Sequence, residues 1–508
     1  MTISGVSGRT SYIGSGILDL RSQLDTLTLQ LSSGKVSTTY EGQGSGRSLA
    51  ITLRSQITAI AGYSDTAVNL NTRIGVANLS LQRLAQIGST VKGAAVSAGT
   101  TLDNTGQTAG QKTANLSFVD SVDMLNTKSG DRYLFSGRAT DTAPVASSTD
   151  IMDGDGIKDG LKTVIAQRKT ADLGTGLGRL AIAPQAVGST AVAISEETPA
   201  TVFGMKLTNV ASTLTGATVT GPTGTPAAIS VNLGATNPNP GDKVKFTLTL
   251  PDQTLETIEM TAVAAGTTPL PSNSFELGAT TDITASNLNA ALTTSVGGLA
   301  KGTMVAASAI AAGDSFFDTP PMRVGAGGAS ATALVDGSAD TVSWYKGEPD
   351  IPANGSARGS AVAQVDQSIT VNYGARADEQ ALRSQLQTVA VYAAFSIDVT
   401  NLTNPAIAKA ANAQVAALNQ RVALNLAPVA GTQSIQDIQA DFAGASVSIK
   451  ATTDRQTQTK ALSETLLNSI EGIDDNEVAA KILALQTALQ ASYKTTSTLY
   501  QMSLVKFL

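Results

Sequence analysis

Most enzymatic chemistry near neutral pH runs on cysteine thiolates, histidine imidazoles or paired carboxylates, and this chain of 508 residues contains neither cysteine nor histidine. That removes thiol nucleophiles, imidazole bases, disulfides and the nitrogen and sulfur ligands that zinc prefers. Carboxylates with oxygen-bound calcium or magnesium remain, but the acidic residues are scattered, without EF-hand spacing and without a pair that stands out for glycosidic chemistry. The run Asp153-Gly154-Asp155-Gly156 comes nearest to a calcium loop and reads first as a turn former. Gly34-Lys35 lacks the glycine-rich loop and the Ser or Thr of a phosphate-binding motif, and reads as a helix terminus. No catalytic, cofactor-binding or metal residues are therefore expected, and the chain is read as something other than an enzyme.

The bulk properties point the same way. A formal net charge of −6 provides no global field for a nucleic-acid backbone. Hydrophobic residues reach 42% but aromatics only 4%, with Trp344 the single tryptophan, so the expected cores are built mainly from Ala, Leu, Ile and Val. The length suggests several domains. Met1 to Gly16 lacks a basic flank followed by an apolar stretch, so no conventional cleaved signal is expected. No uninterrupted apolar segment of about 18 residues occurs, so membrane insertion is not expected either.

Proline placement sets out the elements. All 16 prolines lie between Pro144 and Pro428, which leaves proline-free stretches at residues 1–143 and 429–508 around a punctuated middle. In the first arm Ile17, Leu20, Leu24, Leu27 and Leu31 recur at alternating spacings of 3 and 4, one narrow seam along a helix. Ser32 to Lys35 interrupts it, and the Gly- and Ser-rich stretch Gly42 to Ser48 reads as a loop. The period resumes at Leu53 and continues through Leu70, Ile74, Leu81 and Val91, predicting a long helix over roughly 50–97. Another helix is expected around Leu116 to Leu125, followed by an aromatic strand bounded by Gly130 and Gly137.

In the middle, Val244, Phe246, Leu248 and Leu250 alternate with polar residues, and Thr257 to Val263 is the expected partner strand. Ala363 to Tyr373 carries a second alternation. Ala285 to Leu299 and Gly302 to Gly313 read equally as short helices or loops. The second arm starts at Glu379, Leu382 and Leu386, passes Val415 and Val422, restarts after Gly431, and runs helical through Leu462 to Ile473. Val478, Ile482, Leu485, Leu489 and Leu499 then extend a seam towards Val505, Phe507 and Leu508. An apolar stripe on such a helix marks a missing partner. The plain alternative is a monomer whose two arms pack together in one antiparallel bundle.

At these residues a family resemblance enters. Leu31-Ser32-Ser33-Gly34-Lys35 after the leucine seam resembles the N-terminal region of bacterial flagellins and of the related hook-associated protein 3, the hook-filament junction protein. Leu485 to Tyr493, with Leu499 to Leu508, looks like their C-terminal helix. Gly130 to Gly137 is similar to a Gly-x-Tyr-x-Phe-x-Gly pattern of the junction protein, whereas the length and the large middle are more like a propeller-filament flagellin; Ser37 to Gly46 departs from the usual flagellin continuation. The resemblance covers mainly residues 1–140 and 375–508. It implies export through the flagellar channel without a cleaved signal and assembly of many copies into an extracellular bacterial flagellum used for swimming. It also implies hook-associated and cap proteins, an export chaperone and the flagellar export apparatus as partners.

The expected fold is thus α+β, with long N- and C-terminal helices packed as a coiled-coil-like rod and a β-rich outer middle. The expected divisions are an assembly segment 1–48, rod halves 49–140 and 376–460, a surface-exposed β-rich region 141–375, and an assembly helix 461–508. Ile17, Leu20, Leu24, Leu27, Leu31, Val478, Ile482, Leu485, Leu489 and Leu499 are the expected assembly interface. No cofactor, nucleic acid or membrane enters this reading. A surface-layer or adhesin-like protein would share the Cys-poor, Thr- and Gly-rich composition.

Overall fold

The structure, a computed structural model, describes residues 4–505. Phe507 and Leu508 of the expected terminal seam lie outside the described residues. The fold is α+β, with open sheets and with its first and last described helices in contact. The helices are α1 (Ser4–Ser33), α2 (Arg47–Ser97), α3 (Ala109–Leu125), α4 (Ser148–Asp153), α5 (Leu161–Leu173) and α6 (Thr281–Lys301). They continue with α7 (Thr303–Phe316), α8 (Gln380–Ala394), α9 (Pro405–Asn425), α10 (Ile435–Glu471) and α11 (Asp475–Val505). The strands are β1 (Lys128–Ser129), β2 (Arg132–Tyr133), β3 (Leu180–Ile182), β4 (Ala191–Glu196), β5 (Lys206–Ser212), β6 (Thr218–Thr223) and β7 (Ala228–Asn232). Then follow β8 (Lys243–Thr249), β9 (Leu255–Val263), β10 (Ser274–Glu276), β11 (Met322–Val324), β12 (Leu334–Asp336), β13 (Val362–Asp366) and β14 (Ile369–Asn372).

The chain forms two compact units: a smaller one of Met1–Asn71, Ala363–Val371 and Ala445–Leu508, and a larger one of Thr72–Val362 and Asn372–Gly444. In the larger unit, one four-stranded sheet has the order β3-β4-β7-β6 and a second the order β10-β9-β8-β5, with β10 parallel to β9 and the other pairings antiparallel. Val244, Phe246 and Leu248 are buried from β8, Ile258 and Met260 from β9, and both meet α6 residues such as Leu288 and Leu292 in one core. That is the alternation read from the sequence: side chains of period two put one face of each strand inward.

The two Ala-rich runs that read equally as helix or loop are α6 and α7, separated at Gly302. The stretch Thr281–Phe316 is by length and composition apolar enough to cross a membrane, and 72% of its most apolar part is buried. Its apolar character is that of core helices: α7 is enclosed almost all round and packs against α5, α8 and α9. The buried core is mainly Ala, Leu, Ile and Val, as the composition indicates, and the few aromatics join it. Every phenylalanine whose side chain is described is buried, and Phe316, Phe317, Trp344 and Tyr345 form a chain of ring contacts with centroids 5.2–5.5 Å apart.

The aromatic strand expected between Gly130 and Gly137 is shorter than the reading. Only Arg132 and Tyr133 are strand, paired with Ser129 and Lys128; beyond them Ser136 bridges Arg376, and the Gly137 and Ala377 amides donate to Ala375 and Phe135 carbonyls. The pull is burial: Phe135 and Ser136 are fully enclosed, which turns the chain inward and ends the hairpin.

In the smaller unit, α1 packs along α11, and β13 and β14 form a hairpin. The portion of α10 in this unit is anchored to that hairpin by Gln456 Nε2, which donates to the Val365 carbonyl at 2.7 Å, and by the Arg455–Asp366 ion pair. One expectation needs correction here. The stretch from residue 461 onward is not one helix, because the chain breaks between Glu471 and Asp475. On α10, Leu462 and Leu466 are 61% and 44% exposed, while Thr452, Gln456 and Ser463 occupy the inward stripe. Gln456 lies inside because its amide donates to the hairpin carbonyl that burial leaves in need of a donor.

Candidate assembly interface

The leucine seam of α1 faces the seam of α11 within the chain. Ile17, Leu20, Leu24 and Leu27 are half-buried on α1; on α11 Ile482 and Leu485 are half-buried, and Val478 and Leu489 are buried at 6% and 7% exposure. Spacings of 3 and 4 keep one stripe of each helix turned to the other, which is why these positions and not their neighbours are covered. Leu31 and Leu499, both 40% exposed, are not enclosed by this pairing.

Beside the seam, large apolar side chains point to solvent. Leu18 and Leu29 of α1 are 68% and 55% exposed and lie at the ends of a shallow groove whose other walls are Arg21, Ser22, Asp25 and Thr26. Leu483, Tyr493, Tyr500 and Met502 of α11 are exposed by half or more. These residues were passed over in the sequence because they fall off the 3 and 4 spacing, although an apolar residue off a seam is itself the signal of a second face.

The end of α1 is tied to the α10–α11 turn by a polar knot. Gly34 adopts a left-handed conformation, φ +67°, that closes α1 with its amide donating to Gln30 O at 2.8 Å. The chain then runs antiparallel to the turn: Val36 N donates to Glu471 O at 2.7 Å, Ile473 N to Gly34 O at 3.3 Å, and Lys35 bridges Gly472. Gly472 is required by proximity, since a Cβ there would meet the Asn468 carbonyl oxygen at 2.5 Å.

Glu471 is the centre of this knot. Its carboxylate, 4% exposed as a residue, accepts from Arg54 Nε at 2.9 Å and Nη2 at 2.5 Å and from Gln43 Nε2 at 3.0 Å, with Lys35 Nζ at 3.9 Å. The Arg54 hydrogen bonds hold the Glu471 carboxyl below the usual carboxylate range against the opposing effect of burial, and the same contact raises the arginine. Arg54 also lies 5.6 Å from the centre of the Tyr40 ring. Sequence reading singled out Gly34-Lys35 as a helix terminus, and so it is. It missed Arg54, Gln43 and Glu471, which are far apart in the chain and carry no local pattern.

The run Asp153 to Gly156 leads out of α4. Asp155 accepts from the amides of Ile157 and Lys158 at 3.0 and 2.7 Å, and Asp153 pairs with Lys162 at 2.7 Å, so both carboxylates of the Asp-Gly run serve the turn. No group of three or more His, Cys, Asp or Glu arranged to hold a metal occurs among the described residues. The arrangement as a whole can bury apolar surface and fix the angle between helix ends. No protein-family model matches the chain, and no curated protein matches it in sequence.

Proposed function

We propose that the chain is a structural subunit that self-assembles through its helical arms into an extracellular filament of the bacterial flagellin type. The observation that carries this is the row of solvent-facing Leu, Tyr and Met side chains on α1 and α11, next to a seam already satisfied within the chain. Apolar residues off the seam gain nothing in an isolated helix pair and gain about 25 cal/mol per Å² once a second copy covers them. On this reading α1, α11 and neighbouring helices form a coiled-coil-like rod in the assembled state, and heterologous contacts between identical rods propagate as an open helical tube. The β-rich sheets then belong to the outward part of each subunit. Partners would be further copies of the chain together with the export chaperone, export apparatus, hook-associated and cap proteins of such a system.

Dissociated full-length chain, seeded with sonicated filament fragments and followed by light scattering and electron microscopy, is expected to grow long tubes. Single chains or closed dimers with seeds present would overturn the proposal. The Gly130 to Gly137 pattern favours a second reading, the hook-filament junction protein. Copy number separates the two: thousands of subunits along a filament for the first, one short ring for the second.

A further inference from the structure

The larger unit has a cavity of about 260 Å³ whose walls include Arg73, Arg132, Arg138, Tyr133, Tyr373 and Ser360, and no Asp or Glu lines it. In a chain of net charge −6, a cavity with three guanidinium groups and no lining carboxylate is locally opposite in sign to the whole molecule. Arg138 is already neutralised, since its Nη1 and its backbone amide donate to the two carboxylate oxygens of Glu348 at 2.7 and 2.9 Å. Arg73 and Arg132 are not. Arg73 Nη1 donates to Tyr373 Oη at 3.3 Å and Arg132 Nε to Thr140 Oγ1 at 3.3 Å, both neutral acceptors, and neither arginine has a carboxylate within ion-pair distance among the described residues. Lys128 adds a further cation, its Nζ held 4.3 Å from the centre of the Tyr133 ring.

We infer that this cavity binds a small polyvalent oxyanion. A guanidinium presents paired donors in a planar fork that matches the oxygens of a phosphate or carboxylate, and two such forks without a carboxylate partner leave donors free for one ligand. Tyr133 and Tyr373 border the same space, and Ile74 and Ala77 give it an apolar wall. The volume suits an ion of the size of phosphate or a compact tricarboxylate. The elements hold the groups in place independently of any ligand: Arg73 lies on α2, Arg132 on β2, and Tyr373 directly after β14.

The test is isothermal titration of full-length chain with inorganic phosphate and, separately, with citrate, at an ionic strength held constant with sodium chloride. Saturable binding of at least one of the two is expected, weakened tenfold or more by Arg132→Gln and by Arg73→Gln and unchanged by Lys301→Gln, a cation outside the cavity. Binding of phosphate alone or citrate alone assigns the class of oxyanion. Arg132 is exposed and makes one side-chain hydrogen bond to a neutral acceptor, so its replacement spares the fold, and circular dichroism checks this. Absence of saturable heat with both anions, or equal affinity in wild type and Arg132→Gln, overturns the inference.

Discussion

The two units use the same apolar alphabet in opposite ways. Every one of the largest fully buried side chains, among them Trp344, Tyr392, Phe118 and Phe246, belongs to the larger unit, while the smaller unit encloses none of that class among the described residues. The smaller unit holds under a third of the chain yet about half of the exposed large apolar side chains described. A sheet packed under a helix covers whole faces, whereas two helices meeting along a seam cover only about two positions in seven. The apolar residues outside that seam are then free to meet another chain. The difference teaches that hydrophobic content by itself does not measure a core.

The largest effect should fall in the sealed unit. Phe246, in the core shared by the sheets and α6, is expected to cost about 3–5 kcal/mol on replacement by alanine, read by urea unfolding with a probe near Trp344. A loss below about 1 kcal/mol would erase the contrast between the units. Next comes Leu489→Asp. Because Leu489 is buried in α11, a charge there should cost about 3 kcal/mol in the isolated chain, and hydrogen exchange should show α1 and α11 opening while the β8 and β9 amides stay protected. Protection lost equally in both units would mean that they do not melt separately.

Two carboxyls, one in each unit, are shifted in opposite directions. Burial pushes the Asp378 carboxyl in the larger unit up to about 6, despite a hydrogen bond from the Asp350 amide at 2.8 Å and Arg376 Nε at 3.8 Å. The folded state therefore favours the protonated acid, and this contribution to stability is lost as pH rises from the ordinary value of 3.8 through about 6. Asp378→Asn should remove that loss and gain on the order of 1–2 kcal/mol over wild type between pH 4 and 7. In the smaller unit the Glu471 carboxyl is depressed from 4.5 chiefly by Arg54, so its contribution is present above that value and lost as pH falls below it. Glu471→Gln should cost about 1 kcal/mol at pH 7, since Arg54 is partly exposed, and the gap from wild type should close under acid. A gap that stays constant from pH 7 to pH 3 would show that the knot is held by its backbone bonds.

What was legible in the sequence follows from where the physics is local. The period through Leu53, Leu70, Ile74, Leu81 and Val91 marked α2 because each of those residues is buried on one stripe. The alternation at Val244 to Leu250 marked β8 for the same reason. The inward stripe of α10 was illegible, because Thr452, Gln456 and Ser463 are polar and their burial depends on partners such as the Val365 carbonyl, brought by a distant hairpin. The Glu471 knot was illegible for a related reason: Arg54 and Glu471 are 417 positions apart. Ala-rich α6 and α7 stayed ambiguous since alanine fits both a helix and a loop until packing selects one.

The smallest effect on the free chain is the sharpest test of what the exposed residues are for. Leu18 and Leu483 are 68% and 65% exposed, so Leu18→Gln and Leu483→Gln remove little burial, and glutamine is a good helix former. Each change should shift stability by less than about 0.5 kcal/mol, leaving circular dichroism and the unfolding midpoint of the dissociated chain unaltered. Seeded elongation should respond otherwise. If a second copy covers these side chains, each added subunit forfeits the transfer energy of a leucine, about 1.5–3 kcal/mol for full burial, and the concentration needed for growth rises by roughly tenfold or more. Leu255, 62% exposed on β9 in the larger unit, provides the comparison, and Leu255→Gln should leave elongation unchanged. Equal growth by wild type and the Leu18→Gln, Leu483→Gln double variant would show that the apolar faces of α1 and α11 are not where copies meet. Impaired growth by Leu255→Gln alone would transfer the contact to the sheets.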